Sequence, residues 1–567
     1  MKRARAKSVG KAFVSFVCIL LFTLSFAACD TEPETSSNEA PLVGNVYTQG
    51  FPIVKEPIKL KIKVRDHTGL SSYADNLLVK EYQAKTGIEI EWDIVATTAD
   101  AATAMLLAYS TGDLPDVFMG MAPCDISRQW QYIQEGNVLA IEDEMLEQFA
   151  PNIKKALDDN LDAKYLCTAP DGKVYMLPYI DRNPSADQNF DRVLINTEWL
   201  EAVGKPMPTT TDELTEVLRL FKNGDPNQNG EKDEIPMLIH ADLPCCLLSP
   251  FGISNAPTDY QFEIGADNKV VYSPITDKYK NALKYYGSLA AEGLLDSRYI
   301  GMVATDELYE LLNSPTAKVG VVGGWYVDTI NGMDPERQWN SYQYLPPFTD
   351  GSAEYKSMMQ VHESTWAEWY MITSACKEPN AALRWADFFY TTEGAMWRAY
   401  GPGGEGRAWT ADENGKYKLT LENKPEGMTQ TKWLSTLTLG HSLPGYMSTE
   451  YYSAVEKKPE SEWSLSDRIY DRDMTQANEE YLKHVPDKVF PKMTYDVGDY
   501  EFNAYNARAI VDAASNYQRS IFKGEKNVDN TWDQYLKEME EKGVQEFIDI
   551  RQRAYDNYLK FMADHQK

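Results

Sequence analysis

Cysteine is scarce in this chain, with 7 in 567 residues. Besides Cys29, five lie beyond the N-terminal leader, at Cys124, Cys167, Cys245, Cys246 and Cys376. Their number is odd, their spacing forms no metal knuckle, and adjacent Cys245 and Cys246 cannot easily bridge one another. A chain of this length buries enough surface to need no disulfide staples, so the thiols are expected to be mostly free and buried. Basic residues are in deficit too: 56 Lys and Arg face 85 Asp and Glu, a net charge of −29. That balance argues against nucleic acid as a partner and against binding anionic lipid through a basic patch. No Gly-x-Ser-x-Gly or His-Glu-x-x-His phrase occurs, so two common hydrolase signatures are missing. Internal repeats are absent as well.

A long hydrophobic run is also missing. The apolar stretch Ala12 to Phe26 falls short of the about 20 residues that a bilayer-spanning helix needs. Ahead of it stand Lys2, Arg3, Arg5, Lys7 and Lys11, and behind it Ala27-Ala28-Cys29. A basic head, a short apolar core and small closing residues make residues 1–28 a secretory signal. The cysteine after the small pair resembles a bacterial lipobox, with Phe26 where such boxes more often carry Leu. Lipobox processing diacylates the thiol, so Cys29 is the expected lipidation site; two chains are what stable anchoring takes. The sequence then turns polar (DTEPETSSNEAP, 30 to 41), and residues 29–56 are assigned to a lipidated, flexible tether. The expected location is extracellular, lipid-anchored to the outer face of the bacterial cell membrane.

Beyond the tether the chain alternates between strand and helix signals. Ile58 to Val64 (IKLKIKV) alternates strictly, which predicts a strand. From Tyr73 to Thr86, Ala74, Leu77, Leu78 and Tyr82 recur at helical spacing, and Gly87 sits where a helix should stop. Ile88 to Ile94 (IEIEWDI) alternates again. Strand, helix, strand is a βαβ unit, which implies a parallel sheet and a right-handed crossover. Strands buried on both faces are usually apolar throughout, so this alternation places the two near a sheet edge. A helix over Ala99 to Ser110 leads through Gly112-Asp113-Leu114-Pro115-Asp116 to a strand at Val117-Phe118-Met119. Similar signals continue at Tyr175 to Pro178, Val193 to Asn196, Lys318 to Val322 and Trp369 to Ser374. The C-terminal stretch is helical, with Trp532, Leu536, Met539, Phe547, Ile550 and Tyr558 spaced for packing. The length suits two lobes of ~100–200 residues or more, and the fold class is α/β with sheets in more than one lobe.

One segment carries metal chemistry in its own right. Asp225-Pro226-Asn227-Gln228-Asn229-Gly230-Glu231-Lys232-Asp233-Glu234 places side-chain oxygens at loop positions 1, 3, 5, 9 and 10. Gly230 permits a sharp turn, and Glu231 can offer its backbone carbonyl. That all-oxygen set is the ligand scheme of a calcium loop. It departs from an EF-hand in having Glu234 at position 10 and Pro236 at position 12. The expected ligands of a structural calcium are Asp225, Asn227, Asn229, Glu231, Asp233 and Glu234. The competing reading is a solvated Asn/Asp/Gly loop between helices.

Several phrases coincide in order: TGDLPDVFMG (111 to 120), YIQEGNVLAIEDEM (132 to 145), DGKVYMLPY (171 to 179) and LINTEWLEAVGKPMPTTTDEL (194 to 214). They are followed by KNALKYYGSLAAEGLLD (280 to 296), KVGVVGGWY (318 to 326), YTTEGAMWRAYGPGGEG (390 to 406) and FKGEKNVDNTWDQYLKEMEEKG (522 to 543). Together these resemble the extracellular solute-binding lipoproteins of carbohydrate ABC importers, in particular the long subgroup that includes alginate-binding proteins. The resemblance implies a two-lobed periplasmic-binding-protein-like fold, with a hinge and a ligand cleft between lobes. It implies crossings at Tyr175 to Pro178 and near Tyr342 to Pro347. Residues 57–177 with 346–400 then form one lobe, and 178–345 with 401–567 the other. It also implies that the compact form D-x-N-x-N-G-x-x-D-E holds structural calcium.

For the ligand, the resemblance implies stacking by Trp325 and cleft contacts from Asp181 and Arg182. The loop after the Val117 strand offers Met121 and Asp125, and the loop after the first strand offers Arg65, Asp66 and His67. His362, Glu363, Trp366 and Trp369 cluster before another predicted strand. The chain departs from its relatives at Tyr400-Gly401-Pro402-Gly403-Gly404-Glu405, where residues are inserted before the acidic position. The expected function is non-enzymatic: a monomeric receptor that captures an oligosaccharide and delivers it to two ABC permease subunits. The alternatives are a surface polysaccharide-degrading enzyme and a sensory or scaffolding lipoprotein of the same fold.

Overall fold

The computed structural model describes residues 41–121, 126–183, 192–239, 245–254, 261–298, 306–324, 333–352 and 364–566. Two sheets organise it. The first has six strands in the order Gly445–Met447, Leu177–Asp181, Ser364–Ile372, Val117–Met119, Ile58–Arg65 and Ile88–Val95. All run parallel except Ser364–Ile372, which is antiparallel to both neighbours. The second has five strands, in the order Leu295–Asp296, Ile235–Ile239, Val319–Gly324, Arg192–Asn196 and Tyr342–Tyr344.

The N-terminal βαβ unit forms as its periodicity requires. Leu60, Ile62 and Val64 point into the core, while Lys59 on the other face pairs with Glu89 across the ladder at 2.7 Å. The Ile88 strand is the sheet edge, which explains the charged alternation. The helix between them spans Leu77–Thr86 rather than starting at Tyr73. Asn76 sets its start by accepting from the Val79 N–H at 3.3 Å, and donates to the Ser435 and Thr438 carbonyls at 3.1 Å. Gly87 ends it at φ 76°, a conformation glycine takes at no steric cost.

Three expectations about organisation are corrected. Residues 41–56 are not a free tether: Leu42–Val43 pairs with Val46–Tyr47, and Val46, Ile53 and Val54 are buried. The strand Leu177–Asp181 pairs on both sides within the first sheet, so the first crossing follows Asp181 instead of lying at Tyr175 to Pro178. The return lies between Tyr344 and Ser364. Residues 445–447 are parallel partners of the Leu177 strand, which places them with the first sheet and not in the lobe assigned to 401–567. A three-residue strand shows no periodicity from which to read its sheet.

The C-terminal helices Tyr500–Phe522, Val528–Glu541 and Val544–His565 pack on the second half. Tyr279 donates to Gln518 at 2.6 Å, Tyr535 to the Pro274 carbonyl at 3.1 Å, and the Val270 N–H to Gln552 at 2.9 Å. The last helix also reaches the first half, where Tyr165 meets Tyr558 edge-on at 5.2 Å. Cys167 and Cys376 are both buried. Among the described residues no helix is long and apolar enough to cross a membrane.

Candidate ligand-binding site

The carboxyl ends of the Ile58, Val117, Leu177 and Gly445 strands open on one edge of the first sheet, together with the amino end of the Ser364 strand. Three connections between the halves leave from this edge: after Asp181, ahead of Ser364 and after Met447, beyond which Ile469 and Arg472 pack on the second sheet and its helix Pro335–Ser341. In open α/β sheets, ligands sit outside the carboxyl ends of strands where the topology switches.

The Ile58 strand delivers Arg65, Asp66 and His67 to this edge. Asp66 is occupied by its own turn, accepting from the Thr68 and Gly69 N–H groups at 2.9 and 2.7 Å and from the Tyr73 hydroxyl at 2.8 Å. Burial acts to raise its carboxyl, but those donors outweigh it and leave the group lowered. Ser442 ties the Gly445 arm to this turn, donating to the Arg65 carbonyl at 3.1 Å and accepting from the His67 N–H at 3.3 Å. The His67 and His441 rings lie 6.2 Å apart. Burial, then the charge of Arg65, lowers His67 to about 4; burial, then Arg398, lowers His441 to about 4. Both imidazoles are therefore neutral at pH 7, each with one donor and one acceptor.

The adjacent Leu177 and Ser364 strands bring an aromatic pair together. Tyr179 stacks on Trp366 with centroids 5.2 Å apart and planes 15° apart. Trp366 remains 36% exposed although it is large and apolar. On Tyr179 lies the Arg398 guanidinium, 3.5 Å from the ring centroid, and over Trp366 the Lys492 ammonium at 5.2 Å. Lys492 also donates to the Thr365 carbonyl at 2.7 Å. Asp181 accepts from the hydroxyls of Tyr179 and Tyr452 at 3.0 and 2.6 Å. Burial foremost raises both phenols well above their ordinary range, so they act as donors.

Of the residues singled out by sequence, Arg65, His67, Asp181 and Trp366 gather at this edge. Arg182 turns away: its guanidinium takes both oxygens of Asp162 at 2.9 Å, Asn160 at 2.8 Å and Thr365 at 3.0 Å. It holds the helix Leu161–Cys167 to the sheet, which corrects its reading as a ligand contact. Met121 is 1% exposed and belongs to the core. Trp325, Asp125, His362 and Glu363 lie outside the described residues, as do residues 1–28 and Cys29. Sequence reasoning missed Arg398, His441, Tyr452 and Lys492, which carry no local signal and are gathered only by the fold.

The Asp225 loop is tightly wound. Asp225 and Gln228 adopt φ 50° and 55°, and Gly230 φ 77°. Asp225 accepts from the Asn229 and Gly230 N–H groups at 3.1 and 3.2 Å, and Asn229 Oδ1 from Glu231 N–H at 2.7 Å. The Asn227 and Asn229 amides donate to Asp233 at 3.2 and 3.0 Å, and Lys318 pairs with Asp233 at 2.9 Å. Glu234 Oε1 is buried with no hydrogen-bond partner, and burial, then Asp233 and Asp225, pushes its carboxyl up. Among the described residues no three His, Cys, Asp or Glu side chains gather as a metal group.

Two α/β halves joined at the edge that carries the polar and aromatic groups define a periplasmic-binding-protein-like fold. The chain belongs to the bacterial extracellular solute-binding protein family, whose model matches residues 66–396. The fructooligosaccharide ABC transporter substrate-binding protein FusA of Streptococcus pneumoniae serotype 4 is 28% identical over 568 residues, 97% of this chain and 98% of its own. A FusA EF-hand mutant in complex with fructo-nystose matches with TM-score 0.70 at 24% identity, over 89% of this chain and 100% of that one. An HMO-binding, ABC-transporter-associated protein of Bifidobacterium longum infantis matches with TM-score 0.73 at 23% identity, over 89% and 99%. The alginate-binding protein AlgQ2, solved without calcium ion, matches with TM-score 0.63 at 19% identity, over 90% and 100%. FusA is a substrate-binding protein of an ABC transporter, not an enzyme.

Proposed function

We propose that this protein captures an oligosaccharide between its two α/β lobes and delivers it to the two permease subunits of an ABC importer. The observation that carries the reading is the Tyr179–Trp366 pair at the carboxyl edge, with Trp366 left 36% exposed beside neutral imidazoles and Asp181. Sugars present apolar ring faces and hydroxyl rims, which call for an aromatic platform and mixed donors and acceptors. Similarity to FusA along almost the whole chain supports the same reading. Ligand closes the lobes by its differential affinity for the closed state.

Lipid on Cys29 would hold this monomeric receptor beside its permease on the outer face of the membrane, raising effective concentration without new contacts. A structural calcium would sit in the Asp225 loop, held by Asp225, Asn227, Asn229, the Glu231 carbonyl, Asp233 and Glu234. The buried, unpartnered Glu234 oxygen and the all-oxygen donor set support it. The ion would pin the loop ahead of the Ile235 strand, where Asn227 already bonds the Ala317 carbonyl at 3.2 Å.

A thermal-shift screen of the chain without residues 1–29 tests the function. A bound oligosaccharide at ~100 times its dissociation constant adds about 2.7 kcal/mol. A panel of oligosaccharides that leaves the melting point unmoved would sink the receptor reading.

A further inference from the structure

We propose that the last turns of the helix Val544–His565 latch the two lobes together through Tyr558 and Phe561 on Tyr165, and that this latch sets how readily the lobes close on ligand; the second part rests on the receptor reading above. The helix runs for 22 residues, about 33 Å at ~1.5 Å per residue. Its first turns are anchored on the lobe of the second sheet. Phe547 meets Phe262 and Tyr272 edge-on at 4.9 and 5.5 Å. Gln552 accepts from the Val270 N–H at 2.9 Å and donates to the Asn268 carbonyl at 3.3 Å. Its last turns reach the lobe of the first sheet, where Tyr558 and Phe561 meet Tyr165 edge-on at 5.2 and 5.3 Å. A rigid helix fixed to both lobes lets them rotate only if one of its contacts gives.

The Tyr165 contact is the one built to give. The buried positions of the helix stop at Tyr555, so Tyr558 and Phe561 are only partly buried. Beside them lies a cavity of about 770 Å³, lined by Ser127, Glu142 and Thr168 from one lobe and by Thr494, Asn557 and Phe561 from the other. Rings can move into such a space, whereas a close-packed core would hold them. The Tyr165 hydroxyl is buried and completes no hydrogen bond among the described residues, although Thr494 stands beside it. A buried hydroxyl left unpaired is a standing cost, which a shift of the rings relieves. Edge-on ring contacts therefore hold the latched arrangement, and the hydroxyl opposes it. Ligand affinity scales with the fraction of molecules whose lobes can take the binding-competent arrangement, so either side of this balance changes affinity from outside the cleft.

Three variants of the chain without residues 1–29 test the latch. Tyr558→Ala with Phe561→Ala removes it, and Tyr165→Phe keeps the rings while removing the unpaired hydroxyl. Leu559→Ala changes a 39% exposed neighbour on the same turn. Small-angle X-ray scattering without ligand reads the lobe arrangement, calorimetric titration with neutral and acidic oligosaccharides reads affinity, and a thermal melt reads folding. The double variant should change the radius of gyration and shift the dissociation constant by about threefold or more. Tyr165→Phe should shift it in the opposite direction, and Leu559→Ala should match the wild type. Unchanged scattering and affinity in the double variant, or shifts of the same sign in both latch variants, overturn the inference. If the double variant does not fold, an unmoved dissociation constant in Tyr165→Phe overturns it. A wild type that binds no sugar of the panel strikes the receptor reading instead, and the scattering comparison alone then decides the latch.

Discussion

Replacing Trp366 by Ala separates a ligand platform from a packing residue. The ring lies on Tyr179 at 5.2 Å and 15° and under Lys492 at 5.2 Å. Losing the aromatic pair costs about 0.5–1.5 kcal/mol beyond its area, and losing the exposed cation contact about 0.5–1 kcal/mol. Because Trp366 is already 36% exposed, little cavity forms, and the fold should lose ~1–2 kcal/mol. In a chain this long that lowers the melting point by only a few degrees. Binding should suffer more. A central aromatic contact is worth about 2 kcal/mol or more, roughly 30-fold in dissociation constant. Titration calorimetry beside a thermal melt reads both quantities, and Trp366→Phe, which keeps a ring, should recover most of the affinity. An unchanged dissociation constant with a lowered melting point would refute the reasoning and return Trp366 to packing.

Four further outcomes follow from particular contacts. Asp387 is fully buried and accepts from the Asn152 and Ile153 N–H groups at 2.9 Å and the Asn152 amide at 2.7 Å. It caps the helix Pro151–Asp159, whose own N-cap residue Ala150 offers no side-chain bond, and Arg384 lies 3.6 Å away. Asp387→Ala should cost about 3–5 kcal/mol in urea unfolding, because it strands a buried cation and three donors; a loss under ~1 kcal/mol would contradict the capping role. Gly401→Ala should destabilise by ~2 kcal/mol or more in the same assay, since φ is 77° and a Cβ would meet the Leu437 carbonyl oxygen at 2.5 Å; a neutral effect would mean the turn can rebuild. EDTA should lower the melting point of the wild type and leave Asp225→Ala unmoved, and a wild type indifferent to EDTA counts against calcium. For His67 and His441, with folded values of about 4 against the ordinary 6.5, the unfolded chain takes up protons first. Their contribution to stability is therefore complete above pH 6.5 and is lost as pH falls towards 4. The double variant His67→Gln, His441→Gln should lose less stability than wild type between those values, and parallel pH curves would refute it.

Strict alternation made the βαβ unit at Ile58 to Val95 legible, and the Lys–Glu ladder shows why a parallel pair can alternate at a sheet edge. The first crossing, placed at Tyr175 to Pro178 by the resemblance, falls later because Leu177–Asp181 stays paired on both sides within the first sheet. The Gly445 strand was illegible for a different reason: three residues carry no period, and its partner lies more than 260 positions upstream. The site divides in the same way. Arg65, His67 and Asp181 follow strand ends that sequence can locate, whereas Arg398 and Lys492 reach the edge only through packing of distant segments. Arg182 follows the same strand end, but its side chain is directed by Asp162 and Asn160, contacts that no local pattern encodes.

Calorimetric titration of the lipid-free chain with an oligosaccharide panel, followed by chromatography of the recovered sugar, tests the central claim most directly. The account predicts saturable one-to-one binding of at least one oligosaccharide, lost or strongly weakened in Trp366→Ala, with the sugar recovered intact. Absence of binding across the panel, or recovery of cleaved products, would contradict it.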